Sequence, residues 1–392
     1  MGKIILGIKS LLRFFKYHVL WRAVFTLSCI FPVDEKLVIF ADSYNCSMTD
    51  NMECVYNALT KHGGYKFKFF FAAPKSYNKI YDHIKTSIIH LKFCWYYARC
   101  STLLLTDSYL PAFSCKPRSR TQVIQLWHAC GAFKKWGYST ALKSWGADRK
   151  ALKRYPLHNC YSRVCVSSDS VIPHYADAFN CDESIIKAIG VPRTDAFFDD
   201  GFVLTRTKSV RESIPNLGNR KIILYAPTFR GSDLKSARFD DPLDYRLLKE
   251  FLGESYVFIV KLHPFIEQHT HKDDELSDFV IRSSFDISSL LCSADILISD
   301  YSSVIFEYSL LQRPMIFYAY DLEEYEEQRS FYYEYKEFVP GKIVNDTPAL
   351  IDAVLNAGIS SSQKLKHFKD DFMSACDGHS TDRIADMIIK KT

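Results

Sequence analysis

From Lys36 onward the chain alternates short apolar runs with longer stretches of helical periodicity, the pattern of a parallel α/β sheet. The first half predicts strands at LVIFA (37–41), KFKFFFA (66–72), TLLLTD (102–107), QVIQLW (122–127), RVCVSS (163–168) and IIKAIG (185–190). A second series follows a polar stretch near Thr205–Arg220, read as a linker: KIILYAP (221–227), YVFIVKLHP (256–264), DFVIRS (278–283), DILISD (295–300) and PMIFYAY (314–320). Residues from Gln363 to Lys391 carry helical patterns and no strand signal. These runs predict an α/β protein of two Rossmann-like domains facing a cleft, spanning 34–205 and 206–375, with a C-terminal helix at 376–392.

The first 33 residues are patterned differently. Lys3, Lys9, Arg13, Lys16 and Arg22 are interleaved with Leu, Ile, Phe and Trp, and no acidic residue occurs before Asp34. The apolar run after Arg22 is far short of the ~20 residues that a spanning helix needs. The expectation is a basic amphipathic helix lying on an anionic membrane surface, the alternative being a helix packed on its own domain.

Composition narrows the class. At 392 residues, 47% hydrophobic and 24% charged, the chain has the make-up of a globular protein of two domains. A formal net charge of +5 does not call for a nucleic-acid partner. Twelve cysteines are scattered with no C-x-x-C pair and no secretory signal, which suits reduced thiols in the cytoplasm.

Candidate chemistry gathers where α/β sheets bind ligands, beyond the carboxyl ends of the strands. QVIQLW runs into His128, IIKAIG into Arg193, KIILYAP into Thr228 and Arg230, YVFIVKL into His263, and DILIS into Asp300, Ser302 and Ser303. Hydroxyls and free backbone N–H groups ahead of the apolar run after Ser303 suit a phosphate. Neither G-x-G-x-x-G nor a P-loop is present, so phosphate chemistry without a dinucleotide is expected. Taken singly, each residue has a plainer use: a strand-end histidine as a structural hydrogen-bond partner, an arginine in a salt bridge, Ser302 as a helix cap. Their joint placement at one edge of both sheets favours function.

The segments QLWHACGAFKKWG, GVPRTD, YAPTFR, KLHP and SDYSSVIFEYSLLQRPMIFYAYDLEEYEEQRSFYYEY occur in the order and spacing of the CDP-glycerol glycerophosphotransferase family. The chain resembles these teichoic acid primases and polymerases over residues 36–375. The resemblance implies a GT-B-like enzyme that moves glycerol phosphate, or ribitol phosphate, from CDP-glycerol or CDP-ribitol to a hydroxyl of a polyprenyl-diphosphate-linked saccharide at the cytoplasmic face of the membrane, releasing CMP. It implies His128 as the general base, since an imidazole titrates near neutrality. His263 would steady the leaving phosphate. Arg193, Thr228, Arg230, Asp300, Ser302, Ser303 and Arg329 would surround the donor phosphates, with Glu307 on ribose and Asp321 orienting Arg329. No cofactor or metal is expected. A glycosyltransferase using a UDP-sugar on the same architecture is the alternative. One departure stands out: where many members resemble W-H-G-x-P-x-K, this chain has Trp127-His128-Ala129-Cys130-Gly131-Ala132-Phe133-Lys134, a pattern similar to a subgroup of shorter enzymes.

Overall fold

A computed structural model describes residues 10–72, 80–143, 145–146, 148–230, 241–262, 274–357 and 362–390. Within them the chain divides into two compact units. The first comprises residues 1–129, 136–195 and 375–392, and the second residues 130–135 and 196–374.

The sheet of the first unit is built from β1 (Asp34–Asp42), β2 (Lys66–Phe71), β3 (Cys100–Leu105), β4 (Gln122–Gln125), β5 (Arg163–Val166) and β6 (Ile186–Ala188). They lie in the order β2-β1-β3-β4-β5-β6, all parallel. Strand order reverses between β1 and β3, which opens a crevice at their carboxyl ends. Helix Asp50–His62 covers one face, placing Met52, Val55 and Leu59 on Val38, Phe40, Leu104 and Ile124.

The C-terminal helix Ser380–Ile389 completes that core rather than standing apart. Ile384, Ala385 and Ile388, four residues or fewer apart, turn one face inward beside Leu59. Asp195 accepts hydrogen bonds from the N–H groups of Ser380 and Thr381 at 3.0 and 2.7 Å, satisfying the start of this helix. Gly190, at φ +90, permits the close approach: a Cβ there would fall 2.5 Å from the Ala375 carbonyl oxygen.

The second unit contains β7 (Lys221–Ala226), β8 (Tyr256–Val260), β9 (Val280–Arg282), β10 (Ile296–Ser299), β11 (Met315–Tyr318) and β12 (Lys342–Val344). Their order, β12-β11-β10-β7-β8-β9, is parallel throughout and is the strand order of dinucleotide-binding sheets. Its crevice therefore falls between β7 and β10. Leu248 and Leu252 from one helix and Leu350 and Val354 from another bury Ile223, Phe258, Ile298 and Ile316.

Eleven of these strands coincide with the predicted runs, and β12, three residues at a sheet edge, was not expected. The presumed linker is a different matter. Residues 200–212 form a helix, Asp200–Glu212, N-capped by Asp199, and the second unit begins at Ala196 rather than 206. Only Val210 of that helix is buried, so its apolar stripe is too thin to register as periodicity.

At the N-terminus, residues 10–28 are helical, with a π-helical turn at Lys16–Leu20. Tyr17, Trp21, Phe25 and Ser28 face the first unit; the Tyr17 hydroxyl donates to the carbonyls of Phe113 and Pro156, and Ser28 Oγ to that of Trp95. The cations serve the same docking: Arg22 Nε donates to the Ser114 carbonyl, Lys16 Nζ to Ser87 Oγ, and Arg13 lies over the Tyr155 ring. Leu11, Leu12, Phe15, Val19, Leu27 and Ile30 remain exposed on this segment. No helix among the described residues is long and apolar enough to cross a membrane.

The docking of the C-terminal helix is testable by truncating its fully buried contact. Ile384→Ala is expected to cost about 2–5 kcal/mol, read as a shift of the urea midpoint with unchanged slope.

Candidate active site

In the first unit, the polar ends of β1, β3 and β4 converge at the strand-order reversal. Asp42 closes β1: its carboxylate accepts from Thr106 Oγ1 at 2.5 Å and from the backbone N–H groups of Tyr44 and Asn45. One residue beyond Thr106, Asp107 Oδ2 lies 3.1 Å from Nδ1 of His128. The carboxylate is largely shielded, and the imidazole is about half exposed, at 55%. An Nδ1–H donated to Asp107 leaves Nε2 as the acceptor, the form a general base requires. Asp107 was not among the residues singled out from sequence, although it ends the predicted strand TLLLTD.

Trp127, which precedes the base, has φ 56, a left-handed conformation that costs a non-glycine residue roughly 1–2 kcal/mol. Its indole stacks on the His128 ring at 4.3 Å between centroids. Arg193 follows β6 in a 3-10 turn (Pro192–Phe198), half-buried, with its backbone N–H donated to Asn51 Oδ1 at 3.0 Å.

The chain then passes into the second unit. Gly131 has φ +63, and a Cβ there would lie 2.3 Å from the Phe306 ring, so this loop requires glycine at 131. Phe133 stacks on Phe331 and Tyr335, and Lys135 N–H donates to the Ser330 carbonyl.

At the β7/β10 crevice a buried ionic cluster joins Thr228, Arg230 and Asp300, three of the seven residues expected around the donor phosphates, to Asp321. Asp300, 1% exposed, accepts from the Thr228 N–H and Oγ1–H, both at 2.9 Å, and from Arg230 Nη1 at 3.0 Å. Asp321 grips the other edge of the same guanidinium, at 2.5 Å to Nε and 2.9 Å to Nη2, and also accepts from the Tyr301 hydroxyl at 2.9 Å. Tyr301, Tyr320 and Tyr325 pack around the guanidinium at 5.2–5.3 Å. Burial works against the Arg230 charge, but the hydrogen bonds it donates to Asp321 and the charge of Asp300 outweigh it and raise its pKa. Burial, reinforced by Asp321, raises the Tyr301 hydroxyl as well.

The Nε and Nη2 edge of Arg230 is matched to Asp321 and its Nη1 to Asp300, so among the described residues Asp321 holds the Arg230 guanidinium in place. Thr228 and Asp300 belong to the same cluster. Ser302 and Ser303 are half-buried at the start of the six-residue helix Val304–Ser309, which places their hydroxyls at the crevice. Glu307 lies one turn in and is 6% exposed. Arg329 ends helix Leu322–Gln328 and is half-buried. His263 lies outside the described residues.

Two parallel six-stranded sheets, each with its polar residues at the carboxyl edge, define an α/β protein of the two-Rossmann-domain class. Residues 23–390 match the family described as CDP-glycerol:poly(glycerophosphate) glycerophosphotransferase, and the chain belongs to that family. It is 38% identical over 367 residues to the teichoic acid ribitol-phosphate primase of Bacillus spizizenii, covering 92% of this chain and 93% of that one. With the teichoic acid glycerol-phosphate primase of Bacillus subtilis it shares 32% identity over 306 residues, 76% of each chain. In three dimensions it is similar to the wall teichoic acid polymerase TagF, with a TM-score of 0.76 at 22% identity over 98% of both chains.

Two measurements check this geometry. Arg230→Gln leaves two carboxylates buried without their cation and is expected to destabilise the protein by about 3–5 kcal/mol, seen as a large fall in Tm; an unchanged Tm with weakened donor binding is the opposite outcome. His158, buried behind this edge of the first unit, is pushed by burial from 6.5 down to about 3. Below its ordinary value the unfolded chain takes up a proton that the folded chain refuses. The stability that His158 contributes is therefore complete above about pH 6.5 and falls as pH drops toward 3, by about 2 kcal/mol at pH 5. Denaturant unfolding at pH 7 and pH 5 should show a smaller loss for His158→Gln than for the unsubstituted protein.

Proposed function

We propose that this protein transfers ribitol phosphate, in preference to glycerol phosphate, from a CDP-activated donor to a hydroxyl of a polyprenyl-diphosphate-linked saccharide in wall teichoic acid synthesis. The observation that carries the reaction is His128 on Asp107: a half-exposed imidazole whose Nδ1 is tied to a shielded carboxylate, with Nε2 left to accept a proton. The preference for ribitol phosphate rests on the higher identity and fuller coverage of the ribitol-phosphate primase relative to the glycerol-phosphate primase.

In this mechanism Nε2 takes the proton of the acceptor hydroxyl as its oxygen attacks the phosphorus distal to cytidine. The new O–P bond forms as the bond to the CMP phosphate breaks, and CMP leaves with that electron pair. Base assistance of this kind is typically worth ~10²–10⁴-fold. Charge on the transferring group and on CMP needs donors already in place. Ser302, Ser303 and Arg329 fill that role at the β10 edge, with Arg193 the corresponding cation at the β6 edge, and His263 is retained as the group that steadies the leaving phosphate. Glu307 contacts ribose.

The acceptor's lipid tail stays in the bilayer, so the enzyme must work at its surface. The N-terminal helix supports peripheral attachment at the cytoplasmic face, because its inner face is docked on the protein while Leu11, Leu12, Phe15 and Val19 point outward. Arg149, Lys150, Lys153 and Arg154, on a neighbouring exposed helix, add the charge that attracts anionic headgroups; Arg154 lies over the Phe14 ring.

Release of CMP by purified protein is expected with CDP-ribitol and a lipid-linked disaccharide primed with glycerol phosphate, and its loss in His128→Ala. Release with CDP-glycerol alone would reverse the donor preference, and none with either CDP-polyol, alongside heat stabilisation by a UDP-sugar, would overturn the reading. For the membrane, Leu11→Ser with Phe15→Ser should abolish cosedimentation with anionic vesicles while preserving Tm; undiminished binding would remove this helix from the contact.

A further inference from the structure

The strained residue ahead of the base is held from both sides. Gln125 Oε1 accepts the Trp127 N–H at 3.0 Å, and Asn51 Nδ2 donates to the Trp127 carbonyl at 3.0 Å. The two carboxamides come from different elements, Gln125 from β4 and Asn51 from the first turn of helix Asp50–His62. Both are buried, at 0% and 2% exposure.

Their remaining atoms tie Trp127 to the rest of the site. Gln125 Nε2 donates to the backbone carbonyl of Asp107 at 3.3 Å and to the Tyr161 hydroxyl oxygen at 2.6 Å. Asn51 Oδ1 accepts from the backbone N–H of Arg193. One carboxamide thus spans the residue bearing the carboxylate and the residue preceding the imidazole.

Only one arrangement of hydrogens satisfies this chain. The Trp127 N–H needs the Gln125 oxygen, which turns the Gln125 NH2 to Asp107 and Tyr161. The Tyr161 proton then goes to His158 Nδ1 at 2.7 Å, and the neutral ring of His158 accepts it. Buried polar groups linked in this way fix a conformation more firmly than isolated pairs.

We propose that Asn51 and Gln125 are positioning residues for the transfer reaction: they hold Trp127 in its left-handed turn and so aim His128 at Asp107, without touching substrate. The proposal rests on His128 being the base. A purely structural role for the two amides would lower stability and leave the turnover of folded enzyme intact; a positioning role lowers turnover itself.

The test uses full-length enzyme in the CMP-release assay, with Tm measured on each variant. Gln125→Glu keeps an acceptor for the Trp127 N–H but has nothing to donate to Asp107 or Tyr161. Asn51→Asp keeps the acceptor for Arg193 and loses the donor to Trp127; Asn51→Ser, which retains a shorter donor, replaces it if the aspartate variant does not fold, and Gln125→Asn likewise replaces Gln125→Glu. The expected result is a fall in kcat of about 10- to 100-fold in each folded variant, with KM for the CDP-polyol changed less than about threefold. The double variant should lose little more than the worse single one, because both act through Trp127. Folded variants with unchanged kcat, with effects confined to KM, or with fully additive losses overturn the proposal. His128→Ala separates the two readings: full activity in it sinks the base assignment, whereas its inactivity beside fully active amide variants sinks the positioning role alone.

Discussion

Everything at the carboxyl edge of the second sheet is arranged around the charge of Arg230. A guanidinium removed from water must find anions and acceptors for its N–H groups, and here Asp300, Asp321 and the Thr228 carbonyl supply them. Those partners come from the ends of β7, β10 and β11. The cluster therefore fixes three loops at once and sets where Ser302 and Ser303 begin their helix. Tyr335 joins the same framework by donating its hydroxyl proton to the Asp300 carbonyl at 3.0 Å. With its Nε and Nη2 edge matched to a carboxylate, the guanidinium helps to build the wall of the crevice.

The first sheet solves the corresponding problem with neutral groups. Its edge carries Asp42 and Asp107, but the links between strands run through Gln125, Asn51, Thr106 and Tyr161. Amides and hydroxyls carry less desolvation cost than ions and still have directional hydrogen bonds. They place one half-exposed imidazole beside a shielded carboxylate, an arrangement suited to proton transfer.

The N-terminal segment divides its chemistry by face. Aromatic residues at four-residue spacing dock inward, and its cations reach sideways to carbonyls and rings of the first unit. The aliphatic residues left outside are those whose exposure to water is least favourable. Basic and apolar residues in one helix read the same from sequence whether the helix binds its own domain or a bilayer; here one face docks on the first unit and aliphatic residues of the other stay exposed.

By itself the sequence determined the architecture and the family. Runs such as KIILYA and DILIS are too apolar and too regularly interleaved with helical patterns to form anything but buried parallel strands, and a strand's carboxyl end is local to the run that precedes it. The places of His128 and of the Ser302-Ser303 pair beyond strand carboxyl ends were legible for that reason. The thin apolar stripe of Asp200–Glu212 and the three residues of β12 were not, because their order comes from neighbours rather than from their own pattern. Only the tertiary structure decided partnership: that Asp107, twenty-one residues away, belongs to His128, that Arg230 is matched to Asp321, ninety-one residues away, and that Asn51 and Gln125 clamp Trp127. Hydrogen bonds and ion pairs act through space over about 3 Å, and separation along a chain says nothing about which groups folding brings that close.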